Sequence, residues 1–216
     1  MEVELKVITP NIETEIVEIA RVSSSRENKS EDPDKLIGYL LNNSHWSPFE
    51  HGFITMKIVT SKAIGIQLLR HRSFTFQEFS QRYAKVTAIE PIEIREQAVT
   101  NRQSSTDIFN PKISIASPVE TFELEADNAI QMFIEQAQNL YNSLLDAGVA
   151  KECARMILPM ATQTTIYMSG PVRSWIHMLN LRDDSHAQKE AQEIARACKK
   201  IFVEELPIIS KALNWA

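Results

Sequence analysis

FITMKIVTSKAIGIQLLRHRSFTFQEFSQR, Phe53 to Arg82, changes period partway along and ends in a dense polar cluster. Over its first nine residues Ile54, Met56 and Ile58 alternate with Phe53, Thr55, Lys57 and Val59. That period of two predicts a strand buried on at least one face. From Ser61 the pattern turns helical: the serine is a natural N-cap, and Ile64, Leu68 and neighbouring turns carry an apolar stripe. The end of the stretch, Arg70–Arg82, packs Arg70, His71, Arg72 and Arg82 together with Glu78, Ser73, Ser80 and three phenylalanines. An ordinary solvated face mixes lysine with glutamate and leaves the aromatics out. One cation at a helix end answers the helix dipole, but three in a row exceed that need. Arginine forks match phosphate in a bidentate way, and a nearby serine and carboxylate can read sugar or base edges. The cluster therefore points to a nucleotide site.

Outward from it, ELKVI reads as a first strand and Thr14–Ala20 as a helix. Pro33 opens a helix through Leu41 as an N1 proline does. AIEPIEIRE is expected as a strand, and Thr100–Pro118 as a polar connection, a mobile loop or an insertion. Val119–Asp146 is strongly helical, with Gly148 as its C-terminal stop. KECARMIL makes a short helix ending at Pro159, and TQTTIYMS a strand. Gly170-Pro171 starts a helix through about Leu181, and a last long helix begins near His186. Few strands and long helices, without regular strand–helix alternation, give an α+β fold class in one domain spanning 1–216.

The 216 residues suffice for a sizeable core, and no apolar run approaches the ~18 residues of a membrane span. The N-terminus lacks the basic start and apolar stretch of a secretory signal, so the cytoplasm, or a host's cytoplasm, is the expected home. A net charge of -5 disfavours a general nucleic-acid coat, including a basic RNA-binding hairpin built on Arg70–Arg82, while leaving a local anion site open. Cys153 and Cys198 form neither a disulfide framework nor a zinc spacing, and no cation and base accompany them as an activated nucleophile requires. Both read as small buried hydrophobes. Ser80 likewise has no base nearby in sequence. His45 and His51 lack a third ligand at a convincing spacing, so no metal is expected. His186 is expected to cap or pack, Asp183-Asp184 to make a charged helix connection or to partner Arg182, and Trp46 and Trp175 to be core or interface residues.

Arg70-His71-Arg72, seven residues, then Ser80 matches the RHR-x7-S signature of the flavin-dependent thymidylate synthases, the ThyX family. ARVS at Ala20–Ser23 resembles that family's early flavin-contacting segment, and HWSPFEH at His45–His51 its H-x-S/T-P-F-E-H element. Cys153-Ala154-Arg155 through Pro159, and LNLRDDSHAQKE at Leu179–Glu190, are similar to two further family segments in the same order. The resemblance covers nearly the whole chain. It implies conversion of dUMP to dTMP, with 5,10-methylenetetrahydrofolate as carbon donor, NADPH as reductant through FAD, and no covalent enzyme nucleophile. It implies a homotetramer with sites shared between subunits.

By position, the resemblance puts Gln67, Leu68, Leu69 and Arg70 in the dUMP pocket, with Glu78, Phe79, Ser80, Gln81 and Arg82 as the loop around the nucleotide. Arg155 looks like a phosphate-side contact from another subunit, and Arg182 like the catalytic arginine against the uracil ring. Ser23, His45, Ser47, Arg70, His71, Arg72, Glu78, Arg173 and His177 correspond to FAD contacts. A fixed guanidinium near uracil N3 would stabilise charge as N3 ionises, and arginine suits the task because it stays cationic and its donors are planar.

The chain departs from the family at Gln77, where many members have asparagine, and at Pro171-Val172-Arg173 and His177, where many have Asn-x-Arg and a further asparagine. Ser169-Gly170-Pro171 opening a helix is expected to present free backbone N–H groups in place of the lost amide. Thr100–Pro118 looks longer than usual and would either close over a ligand or decorate the surface. Two other readings remain at this point: an enzyme adding a different one-carbon group to a pyrimidine nucleotide, and a nucleotide-binding module without catalysis.

Overall fold

The computed structural model describes residues 1–22, 32–116 and 120–216. In chain order the elements are β1 (Glu2–Ile8), α1 (Ile12–Ala20), α2 (Pro33–Asn42), a 3-10 turn (Ser47–Glu50), β2 (Phe53–Ser61), α3 (Lys62–Leu68), β3 (Thr75–Glu78), β4 (Arg95–Gln97), β5 (Ser105–Ile108), β6 (Lys112–Ala116), β7 (Thr121–Glu125), α4 (Ala126–Asp146), α5 (Lys151–Ala154), a second 3-10 turn (Arg155–Ile157), β8 (Gln163–Pro171), α6 (Val172–Arg182), α7 (Lys189–Glu205) and α8 (Pro207–Ala212). The mixture is α+β, as expected. The chain divides into two compact units, one of residues 1–59, 66–78 and 165–216, the other of 60–65 and 79–164.

The first unit is built on a sheet of order β1-β2-β8-β3. β1 pairs antiparallel with β2, with a register shift between Leu5 and Val7, and β3 pairs antiparallel with β8 from Thr75↔Ser169 to Glu78↔Ile166. The alternation read in β2 is what folds: Ile54, Met56 and Ile58 are buried while Phe53 stays exposed. Ile166 and Met168 of β8 share that core with Ile16, Ile37, Phe49, Trp175 and Phe202, all essentially without solvent contact. Trp175 satisfies its indole N–H on the Ile54 carbonyl at 3.1 Å, which a fully buried Trp requires. Helix α7 buries Ala191, Ile194, Ala195, Cys198 and Phe202, positions that recur every three or four residues along one face.

Local rules place the ends. Ser61 Oγ accepts from the Ile64 N–H at 3.4 Å, the cap expected of it. Helix α3 stops at Leu68, so Arg70, His71 and Arg72 lie just past its end. The last long helix begins at Lys189 rather than His186, and Pro207 then opens a separate helix, α8.

The second unit carries two hairpins, β4–β5 and β6–β7, and the 21-residue helix α4. Two expectations are corrected here. Helix α4 begins at Ala126 and not at Val119, because Thr121–Glu125 pairs with Lys112–Ala116, setting Ile113 opposite Leu124 and Ile115 opposite Phe122. The polar connection is thus largely β-ribbon rather than loop. AIEPIEIRE is only partly a strand: Ile89 bridges Thr162 and Arg95 opens β4, with Pro91, which has no N–H to give, between them. Gly148 ends α4 as expected, at a φ of 84° that favours glycine. Val86, Tyr141 and Ala154 form this unit's buried cluster, with Phe79, Leu144 and Leu158 packed against it.

Candidate active site

In the first unit Arg182 meets two residues that lie more than a hundred positions earlier in the chain, Gln67 and His71. Arg182, the last residue of α6, donates from Nε to His71 Nε2 at 3.0 Å. Its Nη2 donates to the Gln67 carbonyl at 2.9 Å and its Nη1 to Gln67 Oε1 at 3.4 Å. Each acceptor is neutral. Burial, followed by the Arg182 charge and His177, pushes His71 down to about 4, so at neutral pH the ring is uncharged and its proton sits on Nδ1. Burial also draws Arg182 below the ordinary arginine range. The guanidinium is half-buried and oriented by three bonds, with no carboxylate paired to it among the described residues.

A cleft of about 520 Å³ opens in the same unit, lined by Trp46, Glu50, Ser73, Arg173, Ser174, Ile176, His177 and Asn180. Arg173, His177 and Asn180 fall four and three residues apart on α6 and so project from one side of the helix. Arg173 Nη1 pairs with Glu50 Oε1 at 2.6 Å. The cleft thus combines an indole wall, an imidazole, a guanidinium, two serines and an amide. That donor set suits the flat apolar body and polar edges of a flavin ring. Helix α6 starts where β8 ends, held by the Val172 N–H on the Gly52 carbonyl at 2.8 Å. One of the backbone N–H groups expected to stand free at this helix start is therefore already engaged.

The other predicted positions sort as follows. Arg70 and Arg72 are exposed, and Leu69 is half-buried. Leu68 is 1% exposed and belongs to the core, so only its backbone is offered. Glu78 is half-buried at the end of β3. His45 and Ser47 are exposed, with the His45 ring edge-on to Tyr39. Ser23 lies outside the described residues. In the second unit Phe79 is half-buried and packs against the buried cluster. Ser80 is exposed and its carbonyl accepts from the N–H groups of Tyr83 and Ala84. A second cleft, of about 330 Å³, lies among Ser80, Arg82, Tyr83, Ala150, Lys151 and Glu152, with Arg82 Nη2 3.3 Å from Glu152 Oε2. Gln81 Nε2 and Arg155 Nε are buried with no hydrogen-bond partner among the described residues.

Several sequence readings change. Trp46, expected in the core or an interface, is half-buried and lines the first cleft. Asp183 does not partner Arg182: α7 brings it Arg196 Nε at 2.7 Å and Lys199 Nζ at 3.2 Å. Burial alone would raise the Asp183 carboxyl, but those two cations hold it below its ordinary value. His186 is exposed and its Nδ1 meets Asp184 at 2.7 Å. Cys198 is fully buried and its thiol is pushed up to about 12, whereas Cys153 is exposed and not the buried residue expected. Glu50 and Asn180 were not singled out; the four-residue spacing of Arg173 and His177 was the available signal for Asn180.

Among the described residues no helix is long and apolar enough to cross a membrane. The family model described as thymidylate synthase complementing protein matches residues 4–208. A probable flavin-dependent thymidylate synthase of Paramecium bursaria Chlorella virus 1 is 43% identical over 208 residues, 95% of this chain and 92% of that protein. The flavin-dependent thymidylate synthase of a Synechocystis species is 44% identical over 198 residues, 91% and 86% of the two chains, and that of Thermosipho melanesiensis 37% over 194 residues, 88% and 81%. With a family match across almost its whole length and such relatives on either side of the bacterial–viral divide, the chain belongs to the thymidylate synthase complementing protein family, that of the flavin-dependent thymidylate synthases.

Proposed function

We propose that the protein converts dUMP to dTMP with 5,10-methylenetetrahydrofolate as carbon donor and NADPH as reductant, using FAD and no covalent enzyme nucleophile. Bound FAD would supply redox chemistry that no side chain can perform. The observation that carries the reading is the Arg182 guanidinium, half-buried and fixed on three neutral acceptors. A partly desolvated cation held on neutral acceptors favours negative charge arising beside it, and uracil that loses its N3 proton places such charge on N3 and the adjacent carbonyls. Arg182 would hold that charge while C5 becomes electron-rich. Its donors are already aligned, so little reorganisation is needed when the charge forms.

The remaining residues bind and orient. Arg70 and Arg72 are suited to phosphate, and Gln67 to the nucleotide beside Arg182. Ser80, Gln81, Arg82 and Arg155 form a second anion-binding group. Arg173 and His177, with Trp46, Ser73 and Asn180, would hold the flavin; His45, Ser47, His71 and Glu78 complete the proposed contacts. The amide lost at Pro171 is then replaced in kind by Asn180 on α6. A thiol route has little support, since Cys198 is buried with a raised pKa, and Cys153, exposed on a four-residue helix, has no cation and base beside it in sequence. The chain is proposed to work as one domain, assembled into a homotetramer with shared sites.

Purified protein is expected to take up FAD, seen as a flavin absorbance band that NADPH bleaches without oxygen, and to form dTMP. Arg182→Ala is expected to keep the band and lose dTMP formation by about a hundredfold or more. Protein that ignores added FAD would overturn the enzymatic reading, and normal turnover by the variant would overturn the role of Arg182.

A further inference from the structure

Gln188 lies at the start of α7, where its carbonyl accepts from the N–H groups of Ala191 and Gln192. Its side chain makes no capping bond to that helix. Instead, Gln188 Oε1 accepts from Gln67 Nε2 at 2.7 Å across 121 residues of chain. This contact joins the Arg182 cluster from the outside, and its polarity is forced. A guanidinium only donates, so the Gln67 atom facing Arg182 must be oxygen. The Gln67 NH2 group then faces Gln188, which must answer with its own oxygen. An amide's two ends have nearly the same shape, so Gln67 could turn over without a steric penalty if nothing held its NH2 end. Turned over, it would set NH2 against the guanidinium, remove an acceptor and repel the cation.

We propose that Gln188 is a positioning residue: by accepting from Gln67 it keeps the Gln67 oxygen toward Arg182 and so aims the guanidinium at the nucleotide ring. The inference rests on the reading of Arg182 as the group that meets uracil. Gln188 itself meets Gln67 and not Arg182. Its effect on nucleotide binding and turnover passes entirely through Gln67, which separates it from a residue that merely supports α7.

The test is a double-mutant cycle on the FAD-loaded enzyme with dUMP as the titrant, read by calorimetry for Kd and by dTMP formation for kcat/KM. Gln188→Leu removes the acceptor at similar size and is expected to weaken dUMP binding and lower kcat/KM by about fivefold to tenfold, the scale of one hydrogen bond. In a Gln67→Leu background the same change is expected to have no further effect, within about twofold, because nothing remains for Gln188 to hold. Thermal midpoints of the two Gln188 backgrounds should coincide. Gln188→Met, unbranched and also without an acceptor, repeats the cycle should the leucine variant fold poorly. Wild-type dUMP affinity in Gln188→Leu, or penalties that multiply in the double variant, would overturn the proposal. Wild-type protein that neither binds dUMP nor makes dTMP would instead remove the nucleotide reading, and this proposal with it.

Discussion

His71 accepts from Arg182 only while Nε2 is unprotonated, so the cluster has an acid limit. The ordinary histidine value is 6.5, and burial with the neighbouring charge lowers it to about 4 in the fold. Between those values the unfolded chain binds more protons than the folded one, so this residue's contribution to stability is intact above about pH 6.5 and is lost as pH falls toward 4. Thermal midpoints measured from pH 7 to pH 4 should fall more steeply for the wild type than for His71→Asn, which keeps an acceptor that cannot be protonated in this range. Equal slopes would show that His71 is not held neutral by the fold. At this scale Arg70, His71, Arg72 and Arg182 were picked out because family signatures name them, and the structure brings two of them, His71 and Arg182, together. The neutral environment of Arg182 was not, since it depends on Asp183 being taken by Arg196 and Lys199 one helix away. No local pattern in LNLRDDSH distinguishes that pairing from Arg182–Asp183.

At the level of elements, the junction of β8 with α6 sets where Arg173, His177 and Arg182 project. Gly170 lies there because the Phe74 ring occupies the space a side chain would need: a Cβ at Gly170 would come 2.5 Å from Phe74 Cδ1. Phe74 cannot easily yield, being 7% exposed and packed edge-on to the buried Trp175 at 5.0 Å between centroids. Gly170→Ala is expected to cost about 1–3 kcal/mol, the scale of core overpacking, read as a lower urea midpoint at unchanged slope. A midpoint equal to the wild type would mean the ring relaxes freely. Strand β2 and helices α2 and α6 were legible because their periods or prolines are local signals. The β6–β7 ribbon was not. KISIA and TFELE alternate, but they lie amid polar residues, and helix-forming glutamates and alanine follow directly. Only cross-strand partners such as Ile115 and Phe122 select the strand.

For the molecule as a whole, the apolar surface of the second unit is the feature a single chain leaves unexplained. Helix α4 buries Ala126, Ala129, Ala137 and Tyr141, yet Phe133 and Leu140, two turns apart, remain 57% and 52% exposed. Val99 is 97% exposed and Ile108 72%. Apolar side chains exposed along one side of a helix mark association surfaces where they form a patch, and the proposed homotetramer supplies a second copy to cover Phe133 and Leu140, seven residues apart on α4. Light scattering after size exclusion is expected to give four times the 24.6 kDa chain mass. Phe133→Glu combined with Leu140→Glu should shift the protein to a smaller species that keeps its helical circular dichroism, because both residues already meet solvent in the folded chain. If sites are shared between subunits, that species should also lose dTMP formation, since Arg82 and Arg155 would no longer reach a neighbour's nucleotide. A wild-type mass of one chain with full activity would leave the exposed face without this explanation and confine each site to its own subunit.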